Sequence, residues 1–350
     1  MICICHISIS NPSFLQKKFS DFSHFYCIYY LIFFASNENK FIYLKIMNKL
    51  TIIYNPKFKA ANYVVNGLHL SNANKLELAI TQNKIRILFY GIFLKLHLYF
   101  FAFLFRYKKQ TRKALQKIDC NILFWDSCYF AEYKMLNAIL KKSILKNVFF
   151  WNPLTRWSNQ PKQIQKALSQ LKKNHFHFFT FDFHDSEFYQ IQLVKNVNRK
   201  PEIKKFSIKQ DFYFVGKNKG RKDLLQSIQA KLSAMNFSTK FFIIENKESQ
   251  ISPYDNILYS AESKCILDLV SENQTGLSLR PFDALFLKKK LVTNNEYIKH
   301  FDFYNPANIY IIHDNKLDHL KDFMQVPYQE IPENIVNQYE INQWIENYFL

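Results

Sequence analysis

Short apolar runs alternate with stretches of helical periodicity from Leu50 onward. The runs predict four strands in the first half of the chain: Leu50–Tyr54, Asn121–Trp125, Asn147–Trp151 and His175–Phe181. Helices are predicted between them at Tyr129–Lys142 and at Pro161–Leu171, where proline suits the first helical turn. This alternation is typical of parallel sheets joined by crossover helices.

The second half of the chain repeats the pattern. The predicted elements are strands Phe212–Val215, Lys240–Ile244, Lys264–Leu269 and Lys290–Thr293, and helices Asp223–Met235 and Pro281–Leu287. A polar stretch, Lys195–Lys209, separates the halves, and an amphipathic helix is predicted at Ile335–Tyr348. The sequence therefore predicts two α/β domains, residues 47–200 and 201–350, of which the second ends in the closing helix.

Residues 1–46 differ in pattern from the rest of the chain. Their apolar run, Phe25–Ala35, is too short to cross a bilayer as a helix. At Met47 the sequence changes to a start followed at once by a strand. Our hypothesis is that Met47 is the natural start and that residues 1–46 are a non-native or disordered extension.

Composition excludes several classes of protein. The chain has 350 residues but only five glycines, which leaves no dinucleotide-binding or P-loop glycine motif. Its six cysteines are scattered and include no pair of C-x-x-C motifs for zinc, so we expect a reducing compartment. Classical dehydrogenases, P-loop ATPases and kinases are therefore disfavoured.

The net charge of +19 is concentrated in one part of the chain. Residues 47–200 hold 25 Lys and Arg against 7 acids, whereas residues 201–350 hold 18 against 19. An anionic membrane, an anionic acceptor or a nucleic acid would each suit the basic segment, and so would a merely solvated basic face.

One segment of the basic half, Ile85–Phe105, is apolar and 21 residues long. Lys95 and His97 lie near its middle, where charge is costly in lipid, so a spanning helix is disfavoured. The basic residues that come after it, within 106–113, suit a helix lying in the membrane interface. A buried domain helix with a basic exposed edge is the alternative.

The stretch Phe212–Arg221 places cations and glycines where a strand meets its following helix, a common anion site in α/β domains. The residues concerned are Gly216, Lys217, Lys219 and Arg221. A plain turn with solvated lysines is the alternative interpretation.

A second polar loop comes after the strand that ends at Leu269. It contains Gln274, Thr275 and Gly276, and leads through Arg280 and Pro281 into a helix whose first turn carries Asp283. Arg280 has the geometry to hold a phosphate bidentately. The Asp283 carboxylate suits either sugar hydroxyls or a simple helix cap.

Residues 210–325, and more weakly residues 47–200, resemble the bacterial GT-B-type glycosyltransferases of lipopolysaccharide and capsular polysaccharide biosynthesis. The resemblance is carried by YFVGKNKGR, by SKCILDLVSENQTGLSLRPFDALFLKKKLVTNN, and by TFDFHDSEFY in the first half. It implies two Rossmann-like domains with parallel sheets facing across a cleft. It further implies that the first domain binds the acceptor and the second the nucleotide-sugar donor, with no obligatory metal and no other cofactor.

The resemblance also assigns roles to residues. Asp283, in PFDA, stands where the family's P-x-E-A carboxylate commonly holds the donor ribose, although Asp is shorter than the usual Glu. Lys219 and Arg221 match the cationic loop expected near the diphosphate. Three residues after strand ends are candidates for a catalytic base, with Asp126 ranked ahead of Asp182 and His184, although each also suits an ordinary loop.

The leading hypothesis is a hexosyltransferase-like, metal-independent enzyme. It would act on a lipopolysaccharide-core, capsule or lipid-linked oligosaccharide acceptor, as a cytoplasmic protein peripheral to the inner face of the cytoplasmic membrane, without nucleic acid as a partner. The alternatives are a basic nucleic-acid-binding protein, for which no recognition motif is present, and an inactive GT-B-like scaffold.

Overall fold

The computed structural model describes residues 31–33, 42–44, 49–126, 128–202, 206–218, 220–245, 251–270, 276–314 and 316–350. The chain divides into two units, Met1–Met47 and Asn48–Leu350. In the first unit, strand β1 (Leu31–Phe33) pairs antiparallel with β2 (Ile42–Leu44). The rest of the predicted extension 1–46 lies outside the described residues.

The second unit contains a six-stranded sheet in the order β4, β3, β5, β6, β7, β8, with every pairing parallel. Its strands are β3 (Leu50–Tyr54), β4 (Ala73–Glu77), β5 (Asn121–Trp125), β6 (Lys146–Phe150), β7 (Phe176–Thr180) and β8 (Gln192–Leu193). The chain reverses its direction across the sheet between β3 and β5, which makes the carboxyl ends of these two strands the expected ligand crevice.

A five-stranded sheet comes next in the order β10, β9, β11, β12, β13, again with every pairing parallel. Its strands are β9 (Gln210–Lys217), β10 (Thr239–Ile244), β11 (Ser263–Asp268), β12 (Lys290–Thr293) and β13 (Ile309–Ile311). The equivalent crevice lies at the carboxyl ends of β9 and β11. The two parallel sheets confirm the predicted fold class.

The helices connect the strands and cover the sheets. Their bounds are α1 (Lys59–Asn66), α2 (Lys84–Lys95), α3 (Tyr99–Arg106), α4 (Lys109–Lys117), α5 (Phe130–Ile139), α6 (Pro161–Lys172), α7 (Phe183–Tyr189), α8 (Lys222–Ala234), α9 (Pro253–Ala261), α10 (Arg280–Phe286), α11 (Leu320–Gln325), α12 (Glu333–Val336) and α13 (Ile341–Phe349). Among the described residues, none of these helices combines the length and the apolar character needed to cross a bilayer.

Periodicity explains why these segments fold as they do. Helix α6 starts with proline in its first turn and buries Ile164, Leu168 and Leu171, which repeat at helical spacing. The central strands are almost continuously apolar because helices cover both of their faces. Alternate residues therefore enter two separate cores, one on each face of the sheet.

The closing helix is the main correction to the predicted elements. It is broken: Glu340 has extended backbone (ψ 139°), and its side chain accepts hydrogen bonds from the backbone N–H groups of Asn342 and Gln343 to start α13 afresh. Helix α13 packs on the six-stranded sheet, with the Trp344 ring 4.8 Å from that of Phe149. The end of the chain thus completes the core of the first half.

The segment 85–105 also folds differently from a single helix. It forms the antiparallel pair α2 and α3, with a turn at Leu96–Leu98 where His97 has a positive φ of 58°. Helix α2 has no fully buried residue, and only Tyr90, Phe93 and Leu94 pack, partly buried, against the core, so the buried-helix alternative holds for one side of α2 alone. Helix α3 buries Ala102 and Phe103.

The predicted connection 195–209 is buried at its start, over residues 196–198, and exposed at its end, over residues 206–209. In its described part, Asn196 and Asn198 are buried and bond to the second half of the chain. The elements that were not predicted are strands β1, β2, β4, β8 and β13 and helices α1, α4, α7, α9 and α11. Strand β4 lies at a sheet edge and is mostly polar, so it lacks an apolar run.

Candidate active site

The carboxyl edges of the two sheets face each other. The loop after β7 meets the loop after β11, where the Gly276 N–H donates to Asp182 Oδ2 at 3.2 Å. Phe183, also after β7, stacks on Tyr297, which lies after β12, with ring centroids 6.4 Å apart. This is the GT-B-like arrangement, in which the loop after β7 of the first sheet meets the segments after β11 and β12 of the second.

Asp126 lies directly after β5 at the crevice of the first sheet. Its side chain is buried, and the residue has a positive φ of 39°, which is uncommon outside glycine and concentrates at functional sites. Burial raises the pKa of its carboxyl group to about 7, against the opposing effects of Asn152 and Arg156. Such a pKa suits a general base working near neutral pH.

The two oxygens of Asp126 have different surroundings. Oδ2 accepts a hydrogen bond from Asn152 Nδ2, and Arg156 Nη1 lies 3.6 Å from it. Oδ1 is buried and has no hydrogen-bond partner among the described residues, which exclude Ser127. A buried carboxylate oxygen without a hydrogen-bond donor disfavours the charged form, which agrees with the raised pKa of Asp126.

Asn152 and Arg156 were missed by the sequence analysis. Both come after β6, and the guanidinium of Arg156 also lies 4.9 Å from the ring centroid of Phe58, which comes after β3. The signal that could have found Asn152 is the same one that found Asp126, a polar residue directly after an apolar strand. Three strand ends thus contribute to one cluster.

The other two candidate bases lie elsewhere and have other contacts. Asp182 is buried, and its Oδ1 accepts from the backbone N–H of Asp185, which caps α7. The side chain of His184 is 64% exposed, and its ring stacks on Phe188. Ligand atoms of Asp182, His184 and Asp185 lie within 4.8 Å of one another, a residue set able to hold a metal ion.

Three of the predicted donor residues meet at the crevice of the second sheet. A Cβ added to Gly216 would lie 3.1 Å from a guanidinium nitrogen of Arg221 and 3.1 Å from one of Arg280. Both guanidinium groups also lie over the Phe214 ring and donate to the carbonyl oxygen of Leu269. Glycine at position 216 therefore allows the two cations to approach the strand end.

The one carboxylate in direct contact with these cations, among the described residues, belongs to Asp268 at the end of β11. It is fully buried, and its Oδ1 accepts from Arg280 Nε at 2.9 Å and from Ser278 Oγ at 2.8 Å. Its Oδ2 accepts from Thr293 Oγ1 at 3.2 Å. Asp268 therefore pairs with Arg280, which leaves the charge of Arg221 without a carboxylate in contact.

The electrostatics of Arg221 agree with this description. Burial lowers the pKa of its guanidinium and the neighbouring Arg280 lowers it further, while Asp268 opposes both effects without reversing them. Lys217, which ends β9, is exposed beside it. An excess of positive charge at a strand end is the arrangement that binds phosphate groups in α/β domains. The predicted Lys219, Gln274 and Thr275 lie outside the described residues.

Asp283 is placed differently from a ligand-facing carboxylate. It is buried in α10, where its Oδ1 accepts from Asn198 Nδ2 at 2.7 Å and its Oδ2 from Asn256 Nδ2 at 3.5 Å. Burial raises the pKa of its carboxyl group to about 7. Pro281 is buried beside it in the first turn of the helix. In this structure Asp283 links α10 to the connection between the halves.

No family model matches the sequence, and no curated protein matches it. The folded chain is similar to solved structures that include glycosyltransferases. HepE of Anabaena, solved in complex with UDP and glucose, is 7% identical with a TM-score of 0.49, over 86% of this chain and 98% of that one. WaaG, a glycosyltransferase involved in lipopolysaccharide biosynthesis, is 11% identical with a TM-score of 0.36, over 85% and 93%.

An α1,3-fucosyltransferase is 11% identical with a TM-score of 0.31, over 87% of this chain and 84% of that one. All three TM-scores are below 0.5.

Proposed function

We propose that this protein is a glycosyltransferase that uses a nucleotide-sugar donor. The observation that carries the proposal is the pair of guanidinium groups around Gly216, where Asp268 neutralises Arg280 and leaves Arg221 in excess. A diphosphate leaving group bears the negative charge that such a site stabilises during transfer. In the proposed transfer the positive charge at the diphosphate comes from Arg221, with Lys217 exposed beside it, and a metal is not required.

The first half of the chain supplies the second requirement, a base for the acceptor hydroxyl. Asp126 is the best placed of the three candidates, because its Oδ1 is without a partner in the described structure and its pKa is near 7. As the acceptor hydroxyl attacks the sugar carbon, its proton would pass to Asp126 while the bond to the diphosphate breaks. This assignment applies to an inverting transfer.

The proposed acceptor is a lipid-linked, capsular or lipopolysaccharide-core oligosaccharide at the cytoplasmic face of the membrane. The +18 balance of residues 47–200 supports an anionic or membrane-bound acceptor, since the excess charge lies in the half that carries Asp126. We assign hexose transfer as the working reaction.

A thermal-shift screen of nucleoside diphosphates and nucleotide sugars tests the donor site. A ligand that binds the folded state raises the unfolding temperature by mass action. We expect one nucleotide series to stabilise the native protein and Arg221→Ala to lose that shift. Lys321→Ala removes an exposed cation of α11 and should retain it. Stabilisation by oligonucleotides alone, lost at high salt, would instead support nucleic-acid binding.

A further inference from the structure

Exposed apolar side chains are concentrated on α2, α3 and the turn between them, which we call the α2–α3 hairpin (residues 84–106). Nine of the eighteen exposed large hydrophobic residues in the described chain lie within it. They are Ile85, Ile87, Leu88, Phe89, Ile92, Leu96, Leu98, Phe100 and Phe101. Contiguous exposed apolar surface of this kind marks an interaction site in a folded protein.

The hairpin is a defined structure with its own packing. The Phe93 ring lies 5.4 Å from those of both Phe101 and Phe105, so aromatic contacts join the two helices. Arg86 and Arg112 both donate to the carbonyl oxygen of Leu104. The exposed apolar residues are therefore held outward by a packed scaffold.

The charge around the hairpin has one sign. Residues 78–118 contain nine Lys and Arg and no Asp or Glu. The three arginines are engaged in contacts within the fold, whereas none of the six lysines forms an ion pair with an acid in the described residues. The lysines are Lys84, Lys95, Lys108, Lys109, Lys113 and Lys117, and all six are exposed.

We propose that the α2–α3 hairpin is the surface by which this protein docks on an anionic lipid bilayer. Its apolar side chains would enter the interface, and the lysines beside them would meet lipid phosphates. Charge complementarity favours this occupant over a second copy of the chain, because two acid-free hairpins would repel each other. The inference deepens the proposed function by naming its membrane surface.

The hairpin is also joined to the candidate site. Helix α2 comes after the carboxyl end of β4, and Arg106 Nε bonds Glu132 Oε1 of α5 at 2.6 Å. Helix α5 begins four residues after Asp126. Docking through the hairpin would therefore hold the carboxyl edge of the first sheet, and with it Asp126, close to membrane-anchored acceptors.

Vesicle co-sedimentation of the full chain tests the proposal. We expect binding to phosphatidylcholine vesicles that contain phosphatidylglycerol, weak binding to phosphatidylcholine alone, and release at high salt. Leu88→Gln combined with Leu96→Gln should reduce the partition coefficient at least tenfold, since these side chains are 62% and 61% exposed and their replacement leaves the core intact. The matched control is Tyr254→Gln with Val326→Gln, which removes exposed apolar residues elsewhere.

Charge is tested by neutralising Lys108, Lys109 and Lys113 together, leaving Arg112 because it holds the hairpin. The expected result is a reduced salt dependence of vesicle binding. Equal vesicle binding by the Leu88/Leu96 variant and its control would overturn the proposal. A fall in solution mass from dimer to monomer in that variant, with unchanged vesicle binding, would overturn it in favour of self-association.

The donor site provides an independent readout. The Leu88/Leu96 variant should retain the native thermal shift with nucleotides, because the substitutions lie outside the second sheet. Loss of vesicle binding with that shift retained supports the hairpin. A missing nucleotide shift in the native protein would refute the donor site without bearing on docking.

Discussion

The crevices at the carboxyl ends of the two sheets have the same topology, but the buried acid in each has different hydrogen-bond partners. Asp268, at the end of β11, is buried with both oxygens in hydrogen bonds and with a guanidinium beside it. Asp126, just after β5, is buried with one oxygen bonded and the other without a partner in the described structure. The difference separates a carboxylate that positions a cation from one that is able to take up a proton.

The two crevices also differ in how far their arginine charges are compensated. In the second crevice Arg280 is matched by Asp268, so Arg221 provides the excess. In the first crevice the side chain of Arg156 is 45% exposed and screened by solvent, so it offsets only part of the desolvation of Asp126. One sheet edge is therefore suited to anion binding and the other to proton transfer.

The largest expected effect is on the catalytic rate, through substitution of Asp126. Asp126→Asn should lower kcat by about 10²–10⁴-fold, the usual contribution of a general base, while thermal stability is retained. Steady-state kinetics with the donor identified by the screen would measure it, with Asp119→Asn as an exposed control on the same half of the chain. Activity of Asp126→Asn within a few-fold of native would place the base elsewhere.

Removal of Arg280, the partner of Asp268, should instead lower the free energy of unfolding. Arg280→Ala leaves the Asp268 carboxylate buried without its partner, which should cost about 3–5 kcal/mol in the free energy of unfolding. Arg221→Ala removes hydrogen bonds from a charged guanidinium to carbonyl groups and leaves no buried carboxylate unpaired, so it should cost less, about 1.5–3 kcal/mol. Urea denaturation distinguishes them, and equal losses would contradict the division of roles between the two arginines.

The contact between the loops after β7 and β11 should be sensitive to one added methyl group at residue 276. A Cβ at residue 276 would lie 2.4 Å from Phe181 Cε2, so Gly276→Ala should cost about 1–3 kcal/mol through overpacking. Gly91 in α2 has nothing within 4 Å of its added Cβ, so Gly91→Ala should gain about 0.5–1 kcal/mol. Equal stability of both variants in calorimetry would show that Phe181 moves aside at little cost in free energy.

The smallest expected effect concerns the pKa of Asp126. Because burial raises that pKa to about 7, kcat/KM should rise with pH up to about 7. The same shift contributes to the free energy of unfolding at pH values below the pKa that Asp126 has in the unfolded chain. This contribution is lost as pH rises through about 7. Arg156→Gln should raise the apparent pKa in the rate profile by about one unit or less, since the pair is partly screened. An unmoved profile would separate Arg156 from Asp126.

Several elements of the fold could be predicted because they depend on local pattern. Strands β3, β5 and β12 have the predicted bounds, since each is a short apolar run between polar turns. Strand β4 and the division of residues 84–106 into two helices escaped prediction. Strand β4 is a polar edge strand without an apolar run, and a residue with left-handed backbone such as His97 has no distinctive local signal.

Some residues of the candidate site could likewise be predicted from local pattern, and others could not. Polar residues after strand ends gave Asp126, and the glycines and cations after β9 gave Gly216 and Arg221, because parallel strands bring their carboxyl ends to one edge. That Arg280 binds Asp268 could not be read from spacing, since the pair depends on how the loop after β11 folds back.

The α/β class, the division into a basic and a neutral half, and the strand ends at which chemistry is possible can all be predicted from local pattern. They depend on periodicity and charge, which act over a few residues. The burial of Asp283 between two asparagines, the return of α13 to the first sheet and the exposure of the α2–α3 hairpin arise from tertiary contacts. Burial and pairing depend on contacts between residues far apart in the chain, and those contacts set the pKa of each acid.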